Sequence, residues 1–337
     1  MNVAYHSSDL FAPVLGTSIV SLLENNKSFD SIDIYVIENK ISSENKRKLQ
    51  SMVESYNRNI SFIPMHDVNE EENLGLKKIK DNWLFDSYCR MFLDKYLPES
   101  VERVLYLDSD VLIVDDLTEL WSTDLDGKPV GTVKDCVSKE YFELFGLGED
   151  TYYCNSGVIL FDLNLWNKMN IGNKVRDYVK KNNGYVFFME QSVLNVCLQH
   201  KMYALPVRYN TMTMINAMSY DEIVTLRKPY NYYTQKEVEK AKNKPAILHM
   251  ITFFLITNRA WFANTNHPVK DIYRKYYAMT PWKDTPLFED KRTAKKKITQ
   301  AIVDHIPRKI LLPIVSFVYN YPRIWKIRGD MKKYAKL

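Results

Sequence analysis

No stretch of this 337-residue chain reaches the roughly 18 consecutive apolar residues of a membrane-spanning helix, which argues against an integral membrane protein. The opening residues, MNVAYHSSDL, lack a basic region followed by an apolar run, so no export signal is expected. Cysteine is scarce. Cys89, Cys136, Cys154 and Cys197 are widely separated, without a CxxC pair or a metal-ligand spacing, which points to a reduced, cytoplasmic setting. Internal repeats and low-complexity segments are also missing, and no clean linker precedes residue 285.

Hydrophobic residues make up 46% of the chain and charged residues 26%, the balance of a globular protein rather than a disordered one. The net charge of +5 conceals an asymmetry: residues 291–337 carry 13 Lys/Arg against Asp304 and Asp330, leaving the body mildly acidic. A basic tail on an acidic body suggests contact with an anionic surface. No nucleic-acid recognition motif accompanies the charge, so lipid headgroups are the expected partner and nucleic acid is not.

Short apolar runs at Asn2–His6, Asp33–Ile37 and Ile60–Pro64 alternate with helical patterns at Val14–Leu23 and Ser43–Tyr56. This alternation predicts an α/β fold with a mostly parallel sheet flanked by helices. An acidic segment, Asn69–Asn73, reads as an exposed loop, and Phe85–Tyr96 as a helix. Val101–Leu107 then runs into a strand ending on Asp108-Ser109-Asp110, and ligands gather beyond the carboxyl ends of such strands. Further on come a Cys-Asn-Ser-Gly turn feeding VILFDL, a helix entry at Phe187–Leu198 and a last short strand in Lys244–Met250.

Asp108 and Asp110, two residues apart, project from one side of an extended segment and suit a hard divalent cation; capping of the next element is the plainer alternative. His249, at a strand end, could complete a two-carboxylate, one-histidine set, which favours Mn²⁺ with Mg²⁺ possible. It could equally be a packed, hydrogen-bonded residue.

The ordered segments SSDLFAPVLGTSIVSLLENN, DSYCRMFLDKYLP, VLYLDSDVLIVDDLTELW, YYCNSGVILFDLNLW, EQSVLN and ILHM, spanning residues 1–268, resemble glycosyltransferase family 8. That family includes bacterial lipopolysaccharide galactosyl- and glucosyltransferases and is related to glycogenin. The resemblance implies a single Rossmann-like, GT-A type nucleotide-sugar domain over residues 1–285. It also implies retaining, Mn²⁺-dependent transfer of galactose or glucose from a UDP-sugar to a glycan or lipid-linked saccharide in cell-surface polysaccharide synthesis. Asp108, Ser109 and Asp110 would meet the donor, with Asp108, Asp110 and His249 as metal ligands. Arg90 matches a basic donor-binding residue, and Asn155, Ser156 and Gly157 match a turn approaching the donor sugar. Glu190 and Gln191 would lie beneath the reacting carbon. The nucleotide loop departs from the family pattern, reading Ser7-Ser8-Asp9-Leu10, with Ser8 and Asp9 as donor contacts. Thr252 replaces a family glycine, and Arg259 stands in for a family lysine at the phosphates.

Two other readings stay open. An apolar strand followed by DSDV also resembles the loop of haloacid-dehalogenase-type phosphatases, although here three βα-like elements precede it. The departures at Ser8, Leu10 and Thr252 suit an inactive sugar-nucleotide-binding module. The region 286–337 reads as a basic amphipathic helical tail. Ile310, Leu311, Leu312, Phe317 and Trp325 are expected to embed in the inner face of the cell membrane, or else the tail caps the domain. Because the donor motifs precede residue 290, they are not expected to need the tail.

Overall fold

The computed structural model describes residues 1–77 and 85–334. Strands β1 (Asn2–Ser8), β2 (Asp33–Asn39) and β3 (Asn59–Pro64) run parallel, joined by helices instead of tight turns. The first joining helix, Ala12–Asn25, carries Pro13 in its first turn, where the missing N–H costs nothing, and buries Leu15, Ile19, Leu22 and Leu23. The second, Ser43–Glu54, starts on Ser42, whose hydroxyl accepts the Asn45 N–H. β4 (Arg103–Leu107) pairs with β1 on the side away from β2. Strand order therefore reverses between β1 and β4, and a crevice opens beyond their carboxyl ends.

Four more short strands follow: β5 (Val111–Ile113), β6 (Val130–Lys134), β7 (Cys154–Asp162) and β8 (Met202–Ala204). Among the described residues the main sheet has the order β3-β2-β1-β4-β7-β6-β8, mostly parallel, with β7 reversed. Apolar side chains pack on both of its faces. The Cys-Asn-Ser-Gly segment is not a turn, as its composition suggests, but the start of β7. Val133 pairs with Asn155 and Thr132 with Ile159, so Ser156–Val158 bulge out of the β6 pairing. A bulge of this kind re-aims side chains beside a site.

After β4 the chain turns at Asp108–Asp110 and enters a second, small sheet. There β5 pairs antiparallel with β10 (Ile247–His249), and β10 pairs parallel with β9 (Thr211–Met212). His249 faces Val111, and Met250 donates its N–H to the Asp110 carbonyl at 3.0 Å. The small sheet thus closes a sequence gap that spacing alone could not.

The acidic segment expected to be an exposed loop is instead a short helix, Val68–Glu71, nucleated by Asp67, and Glu72 is buried against Arg176. The tail forms three helices, Ala294–His305, Arg308–Asn320 and Pro322–Tyr334. Leu311 and Leu312 do not face outward as expected. They are buried in the main core, because the second tail helix packs on the helix Tyr220–Arg227, where Asn320 Nδ2 donates to the Leu226 carbonyl at 3.2 Å. The third tail helix sinks Ile324 among Tyr141, Phe142, Phe145 and Tyr153. No described helix is long and apolar enough to cross a membrane.

Candidate functional site

Asp108, Asp110 and His249 each offer a ligand atom within 4.8 Å of the others. His249 Nε2 lies 3.2 Å from Asp110 Oδ1 and 3.9 Å from Asp108 Oδ2. His249 is buried, while Asp108 and Asp110 reach the crevice. Burial pushes the Asp108 carboxyl up, opposed by Arg90. Burial also acts to raise Asp110, but His249 and Arg259 outweigh it and hold that carboxyl below the usual range. Two carboxylates and an imidazole nitrogen at this spacing fit a divalent cation.

Gly157 is what lets the three converge. A Cβ there would stand 2.2 Å from His249 Cε1 and 2.9 Å from Asp108 Oδ2, so the close approach this glycine permits is to the side chains of the cluster. Its carbonyl also accepts the Asp108 N–H at 2.8 Å.

Each carboxylate is paired with its own arginine. Arg90 Nη2 lies 2.8 Å from Asp108 Oδ1, and Nη1 donates to the Ser156 carbonyl at 2.8 Å. Its plane covers the Tyr106 ring at 4.6 Å. Burial works against the Arg90 charge, but Asp108, Tyr106 and Glu190 more than offset it, and the guanidinium stays protonated. Arg259 Nη1 pairs with Asp110 Oδ2 at 2.5 Å and donates to the Met250 carbonyl at 2.7 Å.

Glu190 and Gln191 open the helix Met189–Cys197 after two consecutive left-handed residues, Phe188 (φ 60°) and Met189 (φ 54°). Such backbone costs about 1–2 kcal/mol per residue and persists only where the surroundings enforce it. Asn195 supplies part of that enforcement, because it bonds both the N–H and the carbonyl of Cys154 and so clamps the helix to β7. The buried Glu190 carboxylate accepts from Ser87 Oγ at 2.6 Å and Ser156 Oγ at 3.2 Å, with Arg90 Nη1 at 3.5 Å. Gln191 is more open.

An amide chain joins Gln191 to the Asp108–Asp110–His249 cluster. Gln191 Nε2 donates to Asp135 Oδ2 at 3.2 Å, and its Oε1 accepts from the Ser156 N–H at 3.3 Å and from Asn155 Nδ2 at 3.2 Å. Asn155 Oδ1 accepts from Asn210 Nδ2 at 2.8 Å, which leaves Asn210 Oδ1 facing His249 Nδ1 at 3.0 Å. A carboxylate at one end can only accept, so the polarity of every amide is set. The His249 Nδ1–H is thereby set as a donor to Asn210 Oδ1, and Nε2 is the nitrogen that faces the carboxylates. Asn210→Leu should raise the divalent-cation concentration for half-maximal activity about ten- to a hundredfold, as loss of such a supporting bond does elsewhere. A metal titration that matches the unsubstituted protein would contradict this.

Ser109 and Asp9, expected as donor contacts, are tied to neighbouring elements. Ser109 Oγ donates to the His6 carbonyl at 2.7 Å, holding the two sides of the crevice together. Asp9 Oδ1 accepts from the Ser42 N–H and Asn45 Nδ2, both at 2.8 Å, so its carboxylate ties the loop to the Ser43–Glu54 helix. Ser8 stands at the rim without a capping bond.

The family model for "Glycosyl transferase family 8" matches residues 2–255. The chain belongs to this family. It is 28% identical over 286 residues to general stress protein A of Bacillus subtilis strain 168, spanning 84% of this chain and 94% of that one. Against lipopolysaccharide 1,2-glucosyltransferase of Escherichia coli K12 it is 24% identical, spanning 90% and 86%. It is 25% identical to lipopolysaccharide 1,3-galactosyltransferase of Salmonella typhimurium LT2, spanning 66% and 67%. The crystal structure of galactosyltransferase LgtC with donor and acceptor sugar analogs superposes with TM-score 0.70 at 21% identity, covering 84% of this chain and 99% of that one. The fold is therefore GT-A type, and this family 8 chain is a glycosyltransferase.

Sequence reading missed Asp135 and Asn210. Asp135 follows β6 directly, so the strand-end logic that exposed Asp108 applies to it as well. Asn210 carries no such signal, being one asparagine in VRYNTMT.

Proposed function

We propose that this glycosyltransferase moves glucose or galactose from its UDP-sugar, with retention, onto a glycan or lipid-linked saccharide in cell-surface polysaccharide synthesis. The observation that carries the reading is the Asp108–Asp110–His249 cluster at the crevice, wired through Asn210 and Asn155 to Gln191 at a cavity edge. The names of the Escherichia coli and Salmonella relatives support the hexose donors and the polysaccharide setting. Held by Asp108, Asp110 and His249, Mn²⁺, or alternatively Mg²⁺, would offset the charge of the departing diphosphate.

The remaining work falls to the chain itself. Arg90 and Arg259 orient the two carboxylates and add fixed positive charge where the sugar–phosphate bond breaks. Asn155, Ser156 and Gly157 approach the donor sugar from the start of β7 on this reading. Glu190 is sequestered behind Arg90, Ser87 and Ser156, so it acts by holding Arg90 and Ser156 and not as a nucleophile. That favours same-face substitution, with the Gln191 side chain beside the reacting carbon, over double displacement. Family membership disfavours the phosphatase alternative, and the assembled ligand set disfavours an inactive binder. The test is a panel of UDP-sugars with Mn²⁺, reading UDP release with and without glycan acceptors and the anomeric configuration of the product. Release from neither UDP-glucose nor UDP-galactose would reject the reading, and an inverted product would reject retention.

The tail supports a peripheral position on the inner face of the membrane. Ile310, Ile314, Phe317 and Val318 recur at helical spacing and are all more than half exposed, as are Ile298, Ile302 and Trp325. Basic residues flank them, each contributing about 1 kcal/mol near an anionic surface if it faces the bilayer. The full chain should co-sediment with phosphatidylserine-containing vesicles and much less with phosphatidylcholine alone, and Phe317→Ser with Trp325→Ser should weaken this severalfold. Equal recovery with both vesicle types would contradict an anionic surface as the partner.

A further inference from the structure

Beside Gln191 lies a cavity of about 390 Å³, within the range of small-molecule sites. Asp135 and Gln191 form its inner edge, the loop at Thr252–Phe254 one wall, and the tail residues Val315, Tyr319 and Arg323 another. On the reading that Gln191 adjoins the reacting sugar, this is where an acceptor saccharide enters.

The charges in the cavity do not cancel. Arg227 lies over one ring, Tyr319, at 4.1 Å, and Arg323 reaches the same ring at 4.8 Å. Arg227 Nε is buried without a hydrogen-bond partner, and neither guanidinium forms an ion pair with a described carboxylate. Asp135 favours the Arg227 cation from across the cavity but pairs directly with neither guanidinium, its oxygens accepting from the Cys136 N–H at 2.7 Å and from Gln191 Nε2 at 3.2 Å, so two positive charges face one negative. A buried guanidinium nitrogen without a partner is costly, and two guanidinium groups on one ring, Arg227 half-buried and Arg323 exposed, match the oxygens of a phosphate or carboxylate. Stacking on Tyr319 offsets part of that cost.

We infer that this cavity recognises an acceptor saccharide through an anionic substituent, a phosphate or a carboxylate, bound by Arg227 and Arg323. The inference rests on the proposed glycosyl transfer and adds the acceptor's chemical class to it. It also gives the tail a part in specificity, since Tyr319 and Arg323 both lie beyond residue 290.

Saturation-transfer NMR titrations with glucose, glucose 6-phosphate and glucuronate on the full chain test this, since the method detects weak binding. At least one anionic sugar should bind about tenfold more tightly than glucose, and the tighter of the two identifies phosphate or carboxylate as the source. Arg323→Gln and Arg227→Gln should each weaken anionic-sugar binding about five- to tenfold while leaving glucose binding within twofold. Arg323 is exposed, so a folding defect in the Arg227 variant would not remove the test. Glucose binding as tightly as both anionic sugars, or an anion preference that survives Arg323→Gln, would overturn the inference. Hydrolysis of UDP-glucose and UDP-galactose by the unsubstituted chain is measured on the same preparation. Hydrolysis without anion preference sinks the acceptor inference alone, whereas absence of hydrolysis sinks the transferase reading and this inference with it.

Discussion

Asp110→Asn should lower transfer by about a thousandfold, roughly 4 kcal/mol of transition-state stabilisation, while leaving the fold intact. The carboxylate faces His249 Nε2 at 3.2 Å and Arg259 at 2.5 Å, so the substitution removes an anionic group at the centre of the cluster. Arg259 keeps its bond to the Met250 carbonyl, and the Asp110 carbonyl still accepts the Met250 N–H, which preserves the junction with the small sheet. Asp108→Asn should act similarly but cost more stability, because it also strips Arg90 of its closest counter-charge. The measurements are turnover at saturating donor and Mn²⁺ and the thermal midpoint of each variant. Turnover by Asp110→Asn within a few-fold of the unsubstituted chain would remove the carboxylate from the mechanism.

Removal of the chain after Pro307 should be nearly as damaging, by a different route. Leu311, Leu312 and Ile324 are buried, and each forfeits about 2 kcal/mol when its site is opened to water. The sum, roughly 6 kcal/mol, is comparable to the ~5–15 kcal/mol net stability of a whole domain. The truncated chain should unfold at a lower temperature and lose acceptor turnover, since Tyr319 and Arg323 leave the cavity wall. The position of the donor motifs before residue 290 suggests a dispensable tail; the packing argues against it. An unchanged unfolding midpoint together with an unchanged acceptor KM would show that the tail is separable after all.

Local sequence pattern carried the scaffold and half of the site. Alternating apolar runs and helical spacings located β1 through β4, and a strand running into Asp108-Ser109-Asp110 marked the crevice. His249 was visible as a strand-end imidazole, but its convergence with Asp108 depends on the pairing of β5 with β10, which no spacing encodes. Asn210 was illegible for the same reason: it matters because β9 lies beside β10. The Asn-Ser-Gly segment has the composition of a turn yet forms a bulged strand, because Asn155 pairs with Val133, the Gly157 carbonyl accepts the Asp108 N–H and Asn195 clamps the adjoining Cys154, which together outweigh local preference. Leu311 and Leu312 look like membrane residues in a basic tail. Only the partner helix Tyr220–Arg227 reveals them as core.

The central claim is that Asp108, Asp110 and His249 hold a divalent cation on which sugar transfer depends. UDP release from UDP-glucose and UDP-galactose, measured on the full chain after exhaustive chelation and again after adding back Mn²⁺ or Mg²⁺, tests it most directly. Chelation should reduce release to background and Mn²⁺ should restore it, with His249→Ala needing at least tenfold more Mn²⁺ for half-maximal release. Release that continues undiminished in chelator would contradict the account.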